Sequence, residues 1–416
     1  MGRIKVLMLN GTSWAAVEAL TVLDPKQYEI HVCDSNPGCW CRLHHHCAHF
    51  FKSPHLGSNP KAFFEFILRR LQSESYDVIL PIHEEGLLLA KYQNVFRKYT
   101  HLLIGDASAF HTIMNKRLCL ERAQSLGIPT PQMKIAHTLD EVAQLGDFPC
   151  YVKLPYGTSS SGVRRIASPQ DCAAQLRSFA DSPEFIIQKE IVGDLFVIQL
   201  VFVGGKMIAA HQYRALAKGF GGGASHRLSV HCDDLREYAT LLGADLHWSG
   251  PVMLDFIRER ETGTSYLIEG NPRIGETFNA TLAGLNIADL MINLSLGKPS
   301  VALSRSRPGL RSHQMFTEVT AAIARDETLI RKWVIAFSSL AGWGRYKSSR
   351  EELIHPSIDP VSLYKTAVIV LGMPFLTKRL IAAHNSATIK NMVTGANATA
   401  TILKSHWDRV MEHQVS

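Results

Sequence analysis

The 416-residue chain lacks any uninterrupted apolar run of the ~18 residues that a membrane-spanning helix needs. Its longest apolar stretch lies between Lys365 and Lys378 and is broken by Gly372 and Pro374. The opening segment MGRIKVLMLNGTS holds too few apolar residues for a signal-peptide core and reads instead as a buried first strand. A cytoplasmic protein with reduced thiols is therefore expected. The eight cysteines include no Cys-x₂₋₄-Cys pair matched by a distant second pair, so common zinc modules are excluded. Only Gly11 punctuates the first turn, which excludes the Gly-x-Gly-x-x-Gly dinucleotide fingerprint. Gly157 and Gly162 have the outer spacing of a P-loop, but Val163 stands where that motif requires Lys, and a strand is expected next. Charged residues amount to only 19%. The net charge of +7 arises wholly in residues 301–416, which hold 15 Lys or Arg against 8 Asp or Glu. The first 300 residues are neutral overall, so a dedicated nucleic-acid binder is not expected.

What is present is ordinary globular composition, 46% apolar, enough for two or three domains. Apolar runs at 4–9, 28–33, 77–82 and 101–104 alternate with helical stretches, including an amphipathic one over 60–73. Strand–helix alternation of this kind predicts a parallel sheet covered by helices. A helix over 116–126 ends at Gly127 ahead of Pro129 and Pro131. Beyond it the pattern is strand-rich, at 150–154, 163–166, 185–190, 195–203, 207–213, 252–258 and 265–270. From about 298 the chain reads as mainly helical. The expected organisation is an α/β Rossmann-like unit at 1–113, an α+β unit with antiparallel sheets at 114–297, and a mainly helical basic region at 298–416.

Two segments carry chemistry. VMLDFIR, a polar turn with Gly263, and SYLIEGN read as a hairpin. A turn centred near Thr262 sets Asp255 opposite Glu269, where two like charges about 5 Å apart repel unless a cation lies between them. Asn271, two residues on, projects to the same face and adds an oxygen ligand. Few protein oxygens, completed by substrate phosphates, is how Mg²⁺ is commonly held. A solvated hairpin with ordinary acids is the alternative. The second segment, FPCYVKLPYGTSSSGVRRI, reads as strand, Gly/Ser turn, strand: a flap whose amides and hydroxyls can close on phosphate oxygens, with Lys153 at its mouth. A flexible hairpin tip with a surface lysine is the alternative.

In order along the chain, NKRLCLERAQSLGIPTP (115–131), YVKLPYGTSSSGV (151–163), IIQKEIVGDLF (186–196) and GPVMLDFIRERETGTSYLIEGNPRIG (250–275) resemble the ATP-grasp superfamily. The preceding unit is similar to the pre-ATP-grasp domain that accompanies it. The resemblance implies that Lys116 and Lys153 contact ATP phosphates and that Ser159, Ser160, Ser161 and Gly162 cover them. It implies that Gln188, Lys189 and Glu190 form the hinge beside adenine, with Asp194 toward the ribose. Asp255, Glu269 and Asn271 would hold Mg²⁺, with Mn²⁺ an acceptable substitute, and Arg273 would stabilise charge on the transferred phosphoryl group. The chain departs from the family pattern at Gln188, where Glu is usual, and at Asp194, one position early. A basic residue usual before the first metal acid is replaced by Met253 and Leu254, so Arg214 or Lys218 is expected to supply that charge.

Three further features are open. KGFGGGASHR (218–227) reads as a mobile glycine-rich loop over the acceptor, with Arg214, Ser225 and His226 as candidate substrate contacts. Cys39, Cys41, Cys47 and His44–His46 are competent metal ligands, although packing thiols and surface histidines are the expectation. In the tail, Trp333, Phe337, Trp343 and Tyr346 alternate with Arg331, Lys332, Arg345, Lys347 and Arg350. This pattern suits either peripheral contact with an anionic membrane or, as expected here, a helix packed on its own domain with its charges in solvent. The tail could also cap the site or build a homo-oligomer interface. The resemblance implies an ATP-dependent carboxylate–amine ligase acting through an acyl phosphate on small, amino-acid-like substrates. A carboxylase or carbamoyl-phosphate-type enzyme and a non-catalytic ATP-binding regulator are the alternatives.

Overall fold

In the computed structural model of the chain, residues 2–158, 160–298, 304–381, 388 and 394–408 are described. The first sheet is parallel, in the order Cys47–Lys52, Tyr28–Asp34, Ile4–Leu9, Val78–Leu80. Helix Trp14–Val22 starts where the Ser13 side chain accepts the amide of Ala16, and Pro60–Ser73 starts where Asn59 accepts that of Ala62. Two readings change here. The expected strand at 101–104 is reduced to a single bridge between Val78 and His101. The histidine-rich connection instead contains the edge strand Cys47–Lys52, whose half-exposed side chains show none of the alternation that marks a strand in sequence.

Gly11 closes the first turn for reasons of space. A Cβ there would lie 2.7 Å from Val32 Cγ1, 3.1 Å from Cys39 Sγ and 3.2 Å from Cys41 Cβ. Cys39 and Cys41 therefore pack beneath the first turn, and burial raises the thiol of Cys47 to about 11. His44 shares a hydrogen bond with the Thr21 hydroxyl. Among the described residues no group of three or more His, Cys, Asp or Glu is arranged to hold a metal. Gly11→Ala is expected to destabilise the chain by about 1–3 kcal/mol through overpacking, measured by denaturant unfolding. An unchanged midpoint would contradict this packing.

A small antiparallel sheet follows, ordered Met133–Ala136, Phe185–Lys189, Cys150–Lys153, Val163–Ile166. A larger sheet runs Ser265–Asn271, Gly250–Glu259, Gly193–Val203, Lys206–Lys218, Ala224–Ser229, Arg311–His313, Ser349–Glu351, with Ser304–Arg305 beside Lys206–Lys218. The glycine-rich segment is thus the tip of a long hairpin, and its second strand, Ala224–Ser229, was hidden by the glycine run. The region after 298 adds strands to this sheet as well as the helices Met315–Ala324, Leu329–Ala341, Val361–Gly372 and Gly395–Lys404. One apolar core, including Leu7, Phe110, Phe202 and Trp248, runs from the parallel sheet into the large antiparallel one.

Where the hairpin meets the C-terminal residues the core is polar. Arg227, fully buried, pairs with both Glu276 and Glu352. Glu18, from the first helix, accepts the Phe278 amide at 2.8 Å and the Gln314 side chain at 3.1 Å. Nearby, the Glu351 carboxyl accepts the amides of Met315 (2.9 Å) and Leu353 (3.1 Å), and burial pushes its pKa up to about 8. Glu351 is thus protonated in the fold at neutral pH but ionised in the unfolded chain. The folded state holds the extra proton between the unfolded and folded values, so this stabilisation falls as pH rises through that window and is gone above it. Glu351→Gln keeps one of the two acceptor oxygens and cannot ionise, so it should abolish this slope, at most about 1.4 kcal/mol per pH unit, whatever it costs in stability at every pH. Identical pH slopes of urea-unfolding free energy in both proteins would contradict the assignment.

Candidate active site

Asp255 and Glu269 are direct cross-strand partners, as are Met253 and Asn271. Near the turn the two strands pair one residue out of step, Arg258 with Ser265. An extra residue, Ile268, restores the facing of the two acids, and this irregularity turns the Ile268 carbonyl toward the Lys153 ammonium at 3.1 Å. Asn271 donates to Glu269 Oε1 at 3.2 Å, and Asp255 Oδ1 is buried without a hydrogen-bond partner. Burial, then the neighbouring Glu269, raise Asp255 to about 7. Glu269 is also penalised by burial, but Lys116 and Lys153 outweigh that and hold its pKa below the usual value.

The lysines arrive from two different elements. Asn115 caps helix Lys116–Ser125 by accepting the amide of Leu118, which fixes Lys116 in the first turn. Lys116 Nζ donates to the Gly157 carbonyl at 2.8 Å and lies 3.6 Å from Glu269. Lys153, at the end of its strand, is buried; desolvation lowers it to about 8, with the positive charge of Lys116 adding to the effect. It still carries its charge at neutral pH. Two buried cations and two half-buried acids around one unpaired oxygen make a site suited to a polyanion and a divalent cation.

The flap over them is a tight turn. The amide of Ser161 bonds to the Thr158 carbonyl at 2.9 Å and that of Val163 to the Ser160 carbonyl at 3.1 Å, with Ser160 at φ +56°. Gly162 lies between Tyr156 and Leu154, where a Cβ would press on both. Ser159 lies outside the described residues. The tip of the long hairpin reaches the flap, since a Cβ on Gly222 would fall 2.5 Å from Ser160 Oγ.

Gln188 is buried in its strand with Nε2 unpaired, Lys189 is exposed, and Glu190 is held bidentately by Arg165 at 2.8 Å. Asp194 and Arg214 meet each other at 2.7 Å, with Arg260 on the other Asp194 oxygen at 3.0 Å. Asp194 is thus engaged by two guanidinium groups, and the charge of Arg214 is spent on it. Ser225 and His226 are buried in the sheet, His226 stacked on Tyr346 with ring centres 6.0 Å apart, so both lie beneath C-terminal residues.

Sequence reasoning missed Glu84. Its carboxylate accepts the Thr394 amide at 2.7 Å, and burial raises its pKa against the pull of that bond, Arg273 and Lys116. Its position just past the carboxyl end of parallel strand Val78–Leu80 was the available signal, because ligands gather there in open α/β sheets. Arg227 and Glu276 were also missed. Glu276 feels the charges of both Arg227 and Arg273, and its carbonyl accepts Gln199 Nε2 at 2.7 Å.

No family model matches the chain. The 3-methyl-D-ornithine–L-lysine ligase of Methanosarcina acetivorans is 23% identical over 201 residues, 48% of this chain and 48% of that protein. The chain thus spans about half the length of the curated relative it matches. Among solved structures, the biotin carboxylase domain of Hydrogenobacter thermophilus 2-oxoglutarate carboxylase, in complex with MgADP, ADP and bicarbonate, superposes with a TM-score of 0.58 at 13% identity. That match covers 75% of this chain and 74% of the other. The L-amino acid ligase of Bacillus licheniformis gives a TM-score of 0.54 at 17% identity, over 71% of this chain and 75% of its own.

Proposed function

We propose, from the premise that the chain carries the ATP-grasp fold, that it is an ATP-dependent carboxylate–amine ligase. The observation that carries this reading is the facing pair Asp255 and Glu269, with an unpartnered buried oxygen, bracketed by Lys116 and Lys153. Two carboxylates and one amide are too few ligands for a closed structural metal site but suit Mg²⁺ or Mn²⁺ shared with nucleotide phosphates. Asp255, Glu269 and Asn271 would hold the ion, which when bound neutralises charge gathering on the transferring phosphoryl group.

The chain's own residues then divide the work. Lys116 and Lys153 grip the phosphates, Ser159, Ser160, Ser161 and Gly162 close over them, and Gln188, Lys189 and Glu190 border the base. Asp194 serves the ribose only if it releases one of its two arginines. Arg273 stabilises the phosphoryl group as it passes to a substrate carboxylate, making an acyl phosphate whose leaving group is good where that of the carboxylate was poor. An amine attacks, forming an amide and releasing phosphate, with Glu84 or Glu276 positioned near Arg273 to take its proton. The amine and the acid are read as amino-acid-like, supported by the lysine ligase and the L-amino acid ligase among the similar proteins. The fold also accommodates a carboxylase, but the similarity in sequence to a 3-methyl-D-ornithine–L-lysine ligase favours the joining of two amino-acid-like substrates.

Product analysis tests the chemistry. With an ¹⁸O-labelled carboxylate substrate, ADP should form and the released phosphate should carry the label. Formation of AMP, or unlabelled phosphate beside labelled amide, would overturn the acyl-phosphate route.

A further inference from the structure

The C-terminal helices expose the side chains that a soluble helix normally buries. Of 19 exposed large apolar side chains among the described residues, 12 fall between Leu329 and Leu380. Helix Leu329–Ala341 turns Ile330 (78% exposed), Val334 and Phe337 outward on one stripe, while its buried positions are Ala336 and Ser339. Trp333 stacks on Phe337 with centroids 5.3 Å apart, and with Trp343 they line an open apolar groove of about 550 Å³. Helix Val361–Gly372 turns most of its large apolar residues outward. It buries Ser362, Lys365 and Thr366 together with Ile369, and exposes Leu363, Tyr364, Val368 and Leu371, with Phe375 (78% exposed) following. Both helices anchor to the same small core through Ala336 and Met373. The expected helix packed on its own domain with its charges in solvent is met through Ala336, but of the aromatic residues only Tyr346 is buried, while Phe337 and Trp343 face out.

The exposed charge on this surface is mainly positive, with Asp326 and Glu327 at the start of helix Leu329–Ala341. Between Leu329 and Ile381 the exposed charged residues are Arg331, Arg345, Lys347, Arg350, Lys378 and Arg379, of which Arg331 pairs with Glu327 and Arg345 with Glu318. The acids of the same span, Glu351, Glu352 and Asp359, are buried or nearly so. Among the described residues no helix is long and apolar enough to cross a membrane. An outward apolar face larger than ordinary surface scatter, with Lys378 and Arg379 exposed beside Phe375, complements a medium that is apolar inside and anionic at its surface. A second copy of this chain would bring the same cations against each other.

We infer that the face formed by helices 329–341 and 361–372 docks on an anionic lipid bilayer, with Ile330, Phe337, Leu371 and Phe375 entering the headgroup boundary and Lys378 and Arg379 meeting lipid phosphates. This surface is independent of the ligase reading. Its core also holds Phe220, from the tip of the hairpin that reaches the Ser160 flap, so docking and the site share an element.

The test is flotation of the full chain with vesicles of phosphatidylcholine, alone or mixed with phosphatidylglycerol. Binding is expected to the mixed vesicles only and to weaken as salt is raised. The Lys378→Ala, Arg379→Ala double variant should bind roughly 30-fold more weakly. The Ile330→Ser, Phe337→Ser variant should lose most binding with an unchanged melting temperature, because both side chains are exposed. Failure of the wild type to float with anionic vesicles would overturn the inference. So would sedimentation showing a dimer that the Ile330→Ser, Phe337→Ser variant dissociates.

Discussion

Replacing Glu269 by Gln is expected to lower turnover on the order of 10²-fold or more while the chain stays folded. The substitution preserves shape and the bond from Asn271, but removes one of two negative charges facing each other across the hairpin. Asp255, now without its like-charged neighbour, should ionise more readily. Lys116 loses its partner at 3.6 Å and becomes a freer cation at the phosphate mouth. Nucleotide binding without added divalent cation should therefore be retained or improved, whereas binding with the cation should lose its advantage. Calorimetry of ADP with and without Mg²⁺ separates these. A variant with full turnover would show that the facing acids are a structural pair.

Arg227→Met is expected to destabilise the chain by about 3–5 kcal/mol, because it strands the buried carboxylate of Glu352 and takes a partner from the half-buried Glu276. The network is the junction of three parts of the sequence: Arg227 on the hairpin, Glu276 just beyond Arg273, and Glu352 near the C-terminus. Glu18 from the first helix adds a further acid, and burial together with Glu352 and Glu276 raises its pKa. Pairing Arg227→Met with Glu352→Leu should recover part of the loss, since an apolar pair of similar volume avoids burying an uncompensated charge. Urea unfolding of the two variants measures this. Equal destabilisation by the single and the double variant would mean that Glu352 is not the group left stranded.

The hairpin that carries Asp255 and Glu269 was legible because antiparallel strands obey a pairing rule that sequence alone can apply. The rule set Asp255 opposite Glu269 correctly, although the strands near the turn are one residue out of step and Ile268 makes up the difference. Helix 60–73 was legible through its apolar period, and the helix beginning at Lys116 through the stop at Gly127, Pro129 and Pro131. The Arg227 network was not, because its members lie far apart in sequence and only tertiary packing brings them together. Cys47–Lys52 escaped because an edge strand with half-exposed faces carries no alternation. The tail misled for a different reason: an amphipathic helix announces an apolar face but not which way that face turns.

The central claim is that this chain couples ATP to the joining of a carboxylate and an amine. The most direct measurement is ADP release from Mg-ATP, assayed against pools of amino acids and small carboxylates, with the Glu269→Gln protein as the blank. The account predicts release that requires at least one pool and is absent from the blank. ATP binding by calorimetry, with release that no amino acid or carboxylate stimulates, would contradict it and point to a nucleotide-binding regulator.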